Sequence, residues 1–204
     1  MNPEFWNKRY ASEEWVYGLK ENDFLREEIS RLKKGSSVLD LASGEGRNSL
    51  FLARRGFSVT AVEQSTVGLD KLKKQSEAEN LRVTCVQSDV LEFKADQKFD
   101  AVVITFLHLP PAQRKLVYRM LFSILKPEGI FIAEWFHPDQ RAKNFESGGP
   151  EDPDLMVTLE ELRNEFENGW KIFRLEHVER DLDEGEKHSG RGSVVRISAQ
   201  KTQT

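Results

Sequence analysis

The sequence predicts an α/β fold, a Rossmann-like three-layer α/β/α sandwich around a seven-stranded, mostly parallel sheet whose last strand is antiparallel. Three observations carry that prediction. Short, nearly continuous apolar runs alternate with helix-like segments from residue 23 onward, the pattern of parallel strands covered on both faces. The first run leads into a turn of small residues and then a helix, "VLDLASGEGRNSLFLA". The chain ends in two strand-like runs with no room for a helix between them, so they must pair antiparallel, as a hairpin.

The elements follow in order. In "NDFLREEISRLKKG", Phe24, Leu25, Ile29 and Leu32 recur at helical spacing, with Asn22 or Asp23 as cap and Gly35 as stop. "SVLDLA" is strand 1, and "RNSLFLARRG" a helix closed by Gly56. "FSVTAVE" is strand 2, and Ser65 caps a helix carrying Leu69 and Leu72. "LRVTCVQ" and "FDAVVIT" are strands 3 and 4. A helix after Pro110–Pro111 runs to a "KPEG" turn, which feeds strand 5, "IFIAEW". Residues 137 to 157 are polar and rich in Gly and Pro, and so form a long loop of the kind that often carries function. Thr158 and Glu161 make a capping box for a last helix. "GWKIFRLEHVER" and "GSVVRISAQK" close the chain as strands 6 and 7, leaving 181–192 as a long turn.

Composition narrows the function. A formal net charge of −4 leaves no excess of Lys or Arg for a phosphate backbone, so no nucleic-acid partner is expected. No apolar run is long enough to span a membrane. The single cysteine, Cys85, fits a reducing compartment and reads as a small core residue in strand 3. The start of the chain has neither a basic n-region nor an apolar h-region, and a cytoplasmic protein is expected.

The turn after strand 1 carries the chemistry. In an open parallel sheet, ligands bind outside the carboxyl ends of the strands, where strand order reverses. Ala42, Gly44 and Gly46 let the backbone approach a ligand there, and the helix beginning near Arg47 points free N–H groups at it. "GEGRNS" also approximates the glycine pattern of NAD-binding proteins, so the turn alone is unspecific. Three acids sharpen it. Glu63, ending strand 2, can accept both hydroxyls of an adenosine ribose. Asp89, after strand 3, can receive an adenine amino group, with Val90 beside the ring. Asp40, ending strand 1, repels a pyrophosphate but suits an ammonium or sulfonium. The plainer alternative is a tight turn with three solvated acids.

With these residues the chain resembles the class I S-adenosylmethionine-dependent methyltransferases. Their acid-x-Gly-x-Gly-x-Gly motif is matched by Asp40, Ala42, Gly44 and Gly46, with alanine where the first glycine is usual. "FWNKRY", "WVYG", "NDFL" and "GEGRNSLFLA" are similar to the group that includes the tellurite-resistance and thiopurine methyltransferases. The resemblance implies S-adenosyl-L-methionine as cofactor and an N-terminal segment folded over it. Arg9 would then lie near the methionine carboxylate and Tyr17–Gly18 along the cofactor. Equally, Phe5, Trp6, Tyr10 and Trp15 could simply cover a sheet edge or helix. Asn48, Gln64 and Thr105 complete the expected cofactor contacts. One domain over 1–204 is expected, made of a lid and helix (1–35), cofactor-binding βα units (36–136), and a substrate-side loop, helix and hairpin (137–204).

Transfer of a methyl group from a sulfonium is an in-line displacement, in which the protein supplies position and electrostatics. His108, just past strand 4, is the candidate general base; its alternative is a hydrogen bond to the loop or cofactor. Strand 6 should run parallel to strands 1–5, which brings its turn to the ligand side. Glu184, His188 and Arg191 in that turn, and His137 after strand 5, are the candidate substrate residues, while His177 lies within strand 6. His108, His137 and His188 could make a metal site only on paper, since no ligand pair has metal-type spacing, and no metal is expected. The substrate expected is a small molecule offering a nucleophilic S, N, O or metalloid atom. The rivals are an NAD-dependent oxidoreductase, disfavoured by Asp40 and the hairpin, and a non-catalytic cofactor-binding module acting through a protein partner.

Overall fold

A computed structural model describes residues 3–202. The strands are β1 (Ser37–Leu41), β2 (Ser58–Glu63), β3 (Val83–Gln87), β4 (Phe99–Thr105), β5 (Leu125–Phe136), β6 (Trp170–Asp183) and β7 (Ser189–Lys201). They form one sheet in the order β3-β2-β1-β4-β5-β7-β6. β1 to β5 pair in parallel, and β7 runs antiparallel between β5 and β6. β6 therefore points the same way as β1–β5, as its crossover helix requires. The helices are α1 (Pro3–Arg9), α2 (Asp23–Glu28), α3 (Arg47–Arg54), α4 (Thr66–Ala78), α5 (Pro111–Ile124), α6 (Asp139–Ala142) and α7 (Leu159–Glu165).

Alternation along the strands sends side chains to two cores. Leu39, Leu41, Val102 and Ile104 pack with Val117 and Leu121 of α5 and Leu162 of α7. Val38, Ala101, Val103 and Ile132 face the other way, against Phe24 and Leu25 of α2 and Phe51 and Leu52 of α3. The caps act as the sequence indicates. Asn22 Oδ1 accepts from the N–H of Leu25 at 3.0 Å, Ser65 Oγ from Gly68 at 3.1 Å, and Thr158 Oγ1 from Glu161 at 3.1 Å.

Several details differ from expectation. The α2 segment ends at Arg31, after a single 3-10 turn at 29–31, and not at Gly35. Glu161 does not complete its capping box, because its carboxylate is taken by the guanidinium of Arg114 at 2.8 and 2.6 Å. The 137–157 stretch is pinned and partly helical. It holds α6, and buried Gln140 donates to Ser147 and Gly148 while accepting from the N–H of Ser193. Cys85 is half-buried on edge strand β3 and not in the deep core. β6 and β7 extend further than their apolar runs, pairing as far as Asp183 with Ser189. Only 184–188 remain as the hairpin tip, an ordinary length. Among the described residues, no helix is long and apolar enough to cross a membrane.

Candidate active site

A cavity opens at the carboxyl ends of β1–β4, where strand order reverses between β1 and β4. Its floor is the turn 42–46. Ala42, Gly44 and Gly46 all hold left-handed backbone, with φ of 61°, 59° and 94°. Alanine thus takes the conformation expected of the missing glycine, at a strain of about 1–2 kcal/mol. The two glycines serve different ends. A Cβ on Gly44 would meet the Tyr10 hydroxyl at 3.0 Å, on the cavity side, whereas one on Gly46 would lie 2.4 Å from Leu72 Cδ1 of α4. Gly46→Ala is accordingly expected to destabilise the fold by about 3 kcal/mol, from overpacking and backbone strain together. Gly44→Ala should instead weaken ligand binding with a smaller loss of stability. Thermal melts and titration calorimetry on the two variants check this division.

Glu63 is buried at the end of β2 and does two things. Its Oε2 accepts the N–H of Gly44 at 3.0 Å and its Oε1 that of Ser65 at 2.9 Å, so the carboxylate fixes the turn. Each oxygen keeps a second lone pair for a ligand. Burial pushes its pKa up, against the pull of the backbone N–H groups. Gln64, Asp89, Val90, Thr105, Asn48, Tyr17 and Gly18 all line the same cavity. Asn48 donates to Thr105 Oγ1 at 2.9 Å, tying α3 to β4 across the switch point.

Asp40 is placed otherwise. It is 1% exposed beneath the turn, accepts the Ser49 hydroxyl at 2.6 Å, and does not line the cavity. Burial pushes its pKa up to about 6, with the Ser49 hydrogen bond and Arg47 opposing. Raised in the folded state, the group favours folding while protonated, and that contribution is lost as pH rises from about 4 through 6. Ionised Asp40 thus costs about 3 kcal/mol at pH 7. Asp40→Asn should raise the melting temperature of the ligand-free protein at pH 7 and flatten its pH dependence between 4 and 6. An unchanged melting profile contradicts the assignment. Arg9 also stands apart from the cavity wall, its guanidinium 5.2 Å over the ring of Phe5.

Residues 10–22 form a strap over the cavity, anchored to the glycine turn. Glu45 accepts the N–H of Val16 at 2.9 Å and the Lys71 ammonium at 2.6 Å, and Asn48 accepts the N–H of Asn22 at 2.9 Å. Tyr10 and Trp6 line the cavity, so these aromatics face the ligand space as well as packing. Tyr17–Gly18 meets the hairpin tip backbone to backbone; a Cβ on Gly185 would fall 2.4 Å from the Gly18 nitrogen.

The tip contributes differently from expectation. Glu184 is 1% exposed and bonds with Arg47, Arg180 and the Asn22 amide. Burial alone would raise its pKa, but Arg47 and Arg180 outweigh burial and hold it below the usual carboxylate value. Glu184 is thus a clasp between tip and glycine turn, with no free oxygen edge on the cavity wall. Arg191 lies half-exposed on β7, 3.5 Å from Glu179 and 3.8 Å from Asp181, away from the cavity. His137 stacks on His177 and is likewise outside it.

His188 does enter. It is buried, packed against Tyr17, Phe106 and Phe136 at centroid distances of 4.6, 4.5 and 5.2 Å, and lines the cavity. His108 lines it too. His108 is buried beside Leu155, and its Nδ1 has no hydrogen-bond partner among the described residues. Burial lowers the His108 pKa to about 4, and burial followed by Arg47 lowers that of His188, so both rings are neutral. Phe106, unread in the sequence, links them. Its φ of 55° is strained for an aromatic residue and sets its ring between Phe136 and His188. Its place directly after Thr105, at the mouth of β4, was the available signal.

Residues 38–129 match a family model described as "Methyltransferase domain". This stretch, under half of the chain, is similar to methyltransferase domains. The likeness points to S-adenosylmethionine as cofactor, and the acid-lined, glycine-floored end of the cavity fits that cationic nucleoside. YqeM of Bacillus subtilis, a protein named as a methyltransferase, is 36% identical over 52% of this chain and 44% of its own length. TehB of Haemophilus influenzae, named as an S-adenosyl-L-methionine-dependent methyltransferase, is 32% identical over 35% of this chain and 25% of its own. The crystal structure of TehB from Haemophilus influenzae superposes with a TM-score of 0.74 at 17% identity, covering 98% of this chain and 67% of that one, a likeness of fold. The chain thus spans less than half the length of those two curated relatives. Other matched relatives are named for rRNA, ubiquinone and sterol methylation, so the likeness leaves the acceptor open.

Proposed function

We propose that the protein transfers the methyl group of S-adenosylmethionine to a small molecule bearing a protonated S, O or N nucleophile. The observation that carries this reading is the His108 end of the cavity. It is aromatic, closed above by Tyr17 and His188, and lined by His108, whose buried Nδ1 has no partner among the described residues. A polymer would need an open groove with a basic rim, whereas this wall carries Glu45, Glu63 and Asp89 against Arg47. The same acids disfavour the pyrophosphate of a nicotinamide dinucleotide.

The assigned roles follow the geometry. Glu63 accepts ribose hydroxyls, Asp89 and Val90 hold the adenine, and the Gly44–Asn48 segment carries the amino-acid end. The His108 imidazole accepts the acceptor's proton as the new bond to the methyl carbon forms and the bond to sulfur breaks. Once methylated, a hydroxyl or thiol is a strong acid, so a neutral imidazole of pKa about 4 suffices as receiver. Calorimetry with S-adenosylhomocysteine and NADH, followed by labelled-methyl turnover on thiols, phenols, amines and metalloid oxyanions, tests the reading. Tight binding of NADH but not S-adenosylhomocysteine overturns the cofactor assignment. Binding without turnover on any acceptor favours the non-catalytic module.

A further inference from the structure

Away from the cavity, the loop leaving β5 brings three metal-binding side chains together over β6. We propose that His137, Asp139 and His177 bind a divalent transition ion of the zinc or nickel class, which braces the wall carrying His188. One donor atom from each residue lies within 4.8 Å of the others. The Asp139 carboxylate straddles both rings, with Oδ1 3.5 Å from His137 Nδ1 and Oδ2 3.8 Å from His177 Nε2. The imidazoles themselves lie face to face, centroids 3.7 Å apart and planes 21° from parallel.

Zinc–nitrogen bonds of about 2.0–2.1 Å place the ligand atoms of a tetrahedral ion about 3.3 Å from one another. The two carboxylate–imidazole gaps exceed that by a few tenths of an ångström, and because ring lone pairs lie in the ring plane, one imidazole must turn out of the stack for both to meet the ion. Two imidazoles and one carboxylate form a borderline donor set, suited to zinc or nickel and poorly suited to magnesium or calcium. All three side chains are partly exposed, at 16%, 34% and 26%, so an ion can reach them. His137 Nδ1 accepts the N–H of Asp139 at 3.2 Å, a bond that an ion at Nδ1 would replace. The Ser193 hydroxyl, 2.8 Å from His177 Nε2, stands where a further oxygen ligand or its water would sit.

A resident cation already marks the place. The Lys143 ammonium lies 3.4 Å from Asp139 Oδ2 and 2.6 Å from Glu179. A metal ion would take over Asp139 and leave Lys143 to Glu179. The fixed loop matters because its far end touches the active site. A Cβ on Gly148 would lie 2.6 Å from the Lys187 carbonyl oxygen and 2.8 Å from His188 Cδ2, so the loop backbone packs close to that imidazole. Holding His137 to His177 therefore clamps the 137–149 segment onto the hairpin and against His188.

The test is calorimetric titration of the untagged, chelator-treated full chain with Zn2+, Ni2+ and, as control, Mg2+, paired with thermal melts. One equivalent of Zn2+ or Ni2+ should bind and raise the melting temperature, while Mg2+ does neither. Asp139→Asn and His177→Ala should each weaken binding about tenfold or more, and His108→Ala should leave it unchanged. Lys143→Met, a surface change that removes the competing cation, should tighten it several-fold. Absence of binding at about 100 µM Zn2+ and Ni2+ overturns the proposal. So does a site that survives His177→Ala or disappears in folded His108→Ala.

Discussion

Glu63→Ala should lose about a hundredfold or more in affinity for S-adenosylhomocysteine, measured by calorimetry. The carboxylate would give up two charge-assisted hydrogen bonds to the ribose, each worth about 1.5–3 kcal/mol. It would also release the N–H groups of Gly44 and Ser65, so the glycine turn loses its brace. Glu63→Gln separates these effects. The amide keeps one accepting oxygen but turns its NH2 toward a backbone N–H, and an intermediate loss is expected. Undiminished affinity in a folded Glu63→Ala variant removes the ribose assignment.

His108→Ala should lower kcat by about 10²–10⁴-fold on an acceptor that must shed a proton, with S-adenosylhomocysteine affinity nearly intact. Because burial holds the ring's pKa near 4, its lone pair is available throughout the neutral range. The pH–rate profile should therefore show no histidine inflection near 6.5, and a loss from this group only as pH falls through about 4. An inflection near 6.5 that vanishes in His108→Ala would contradict the buried geometry. Wild-type turnover in that variant would reduce His108 to a packing residue of the cavity wall. His188→Ala should show a smaller loss of turnover, because it shapes the roof and stands opposite His108.

Much of this could be read from the chain because local chemistry and global fold agree. β1, β2 and β4 are buried on both faces, so their side chains form unbroken apolar runs, and Asn22, Ser65 and Thr158 mark helix starts by their own hydrogen bonds. The hairpin was less legible. β6 is an edge strand with half-exposed faces, so Asp181, Asp183 and Arg191 read as turn residues while belonging to the ladder. Glu184 looked like a ligand residue because its partners, Arg47 and Asn22, are distant in sequence, and long-range ion pairing leaves no local mark. His137 was assigned to the rim from its position after β5. Its side chain follows the loop back over β7 to His177, an approach that neither periodicity nor spacing encodes.

The seam between strap and hairpin tip sets a condition on traffic. Gly18 and Gly185 touch through their backbones, and Glu184 is locked to Arg47 just behind them. No side chain there can swivel aside to make a doorway. Parting this seam therefore moves the strap backbone and strains the Val16–Glu45 and Asn22–Asn48 hydrogen bonds that anchor it. A larger residue at Gly185 would wedge that seam ajar, trading residence time of the bound nucleoside for speed of its departure.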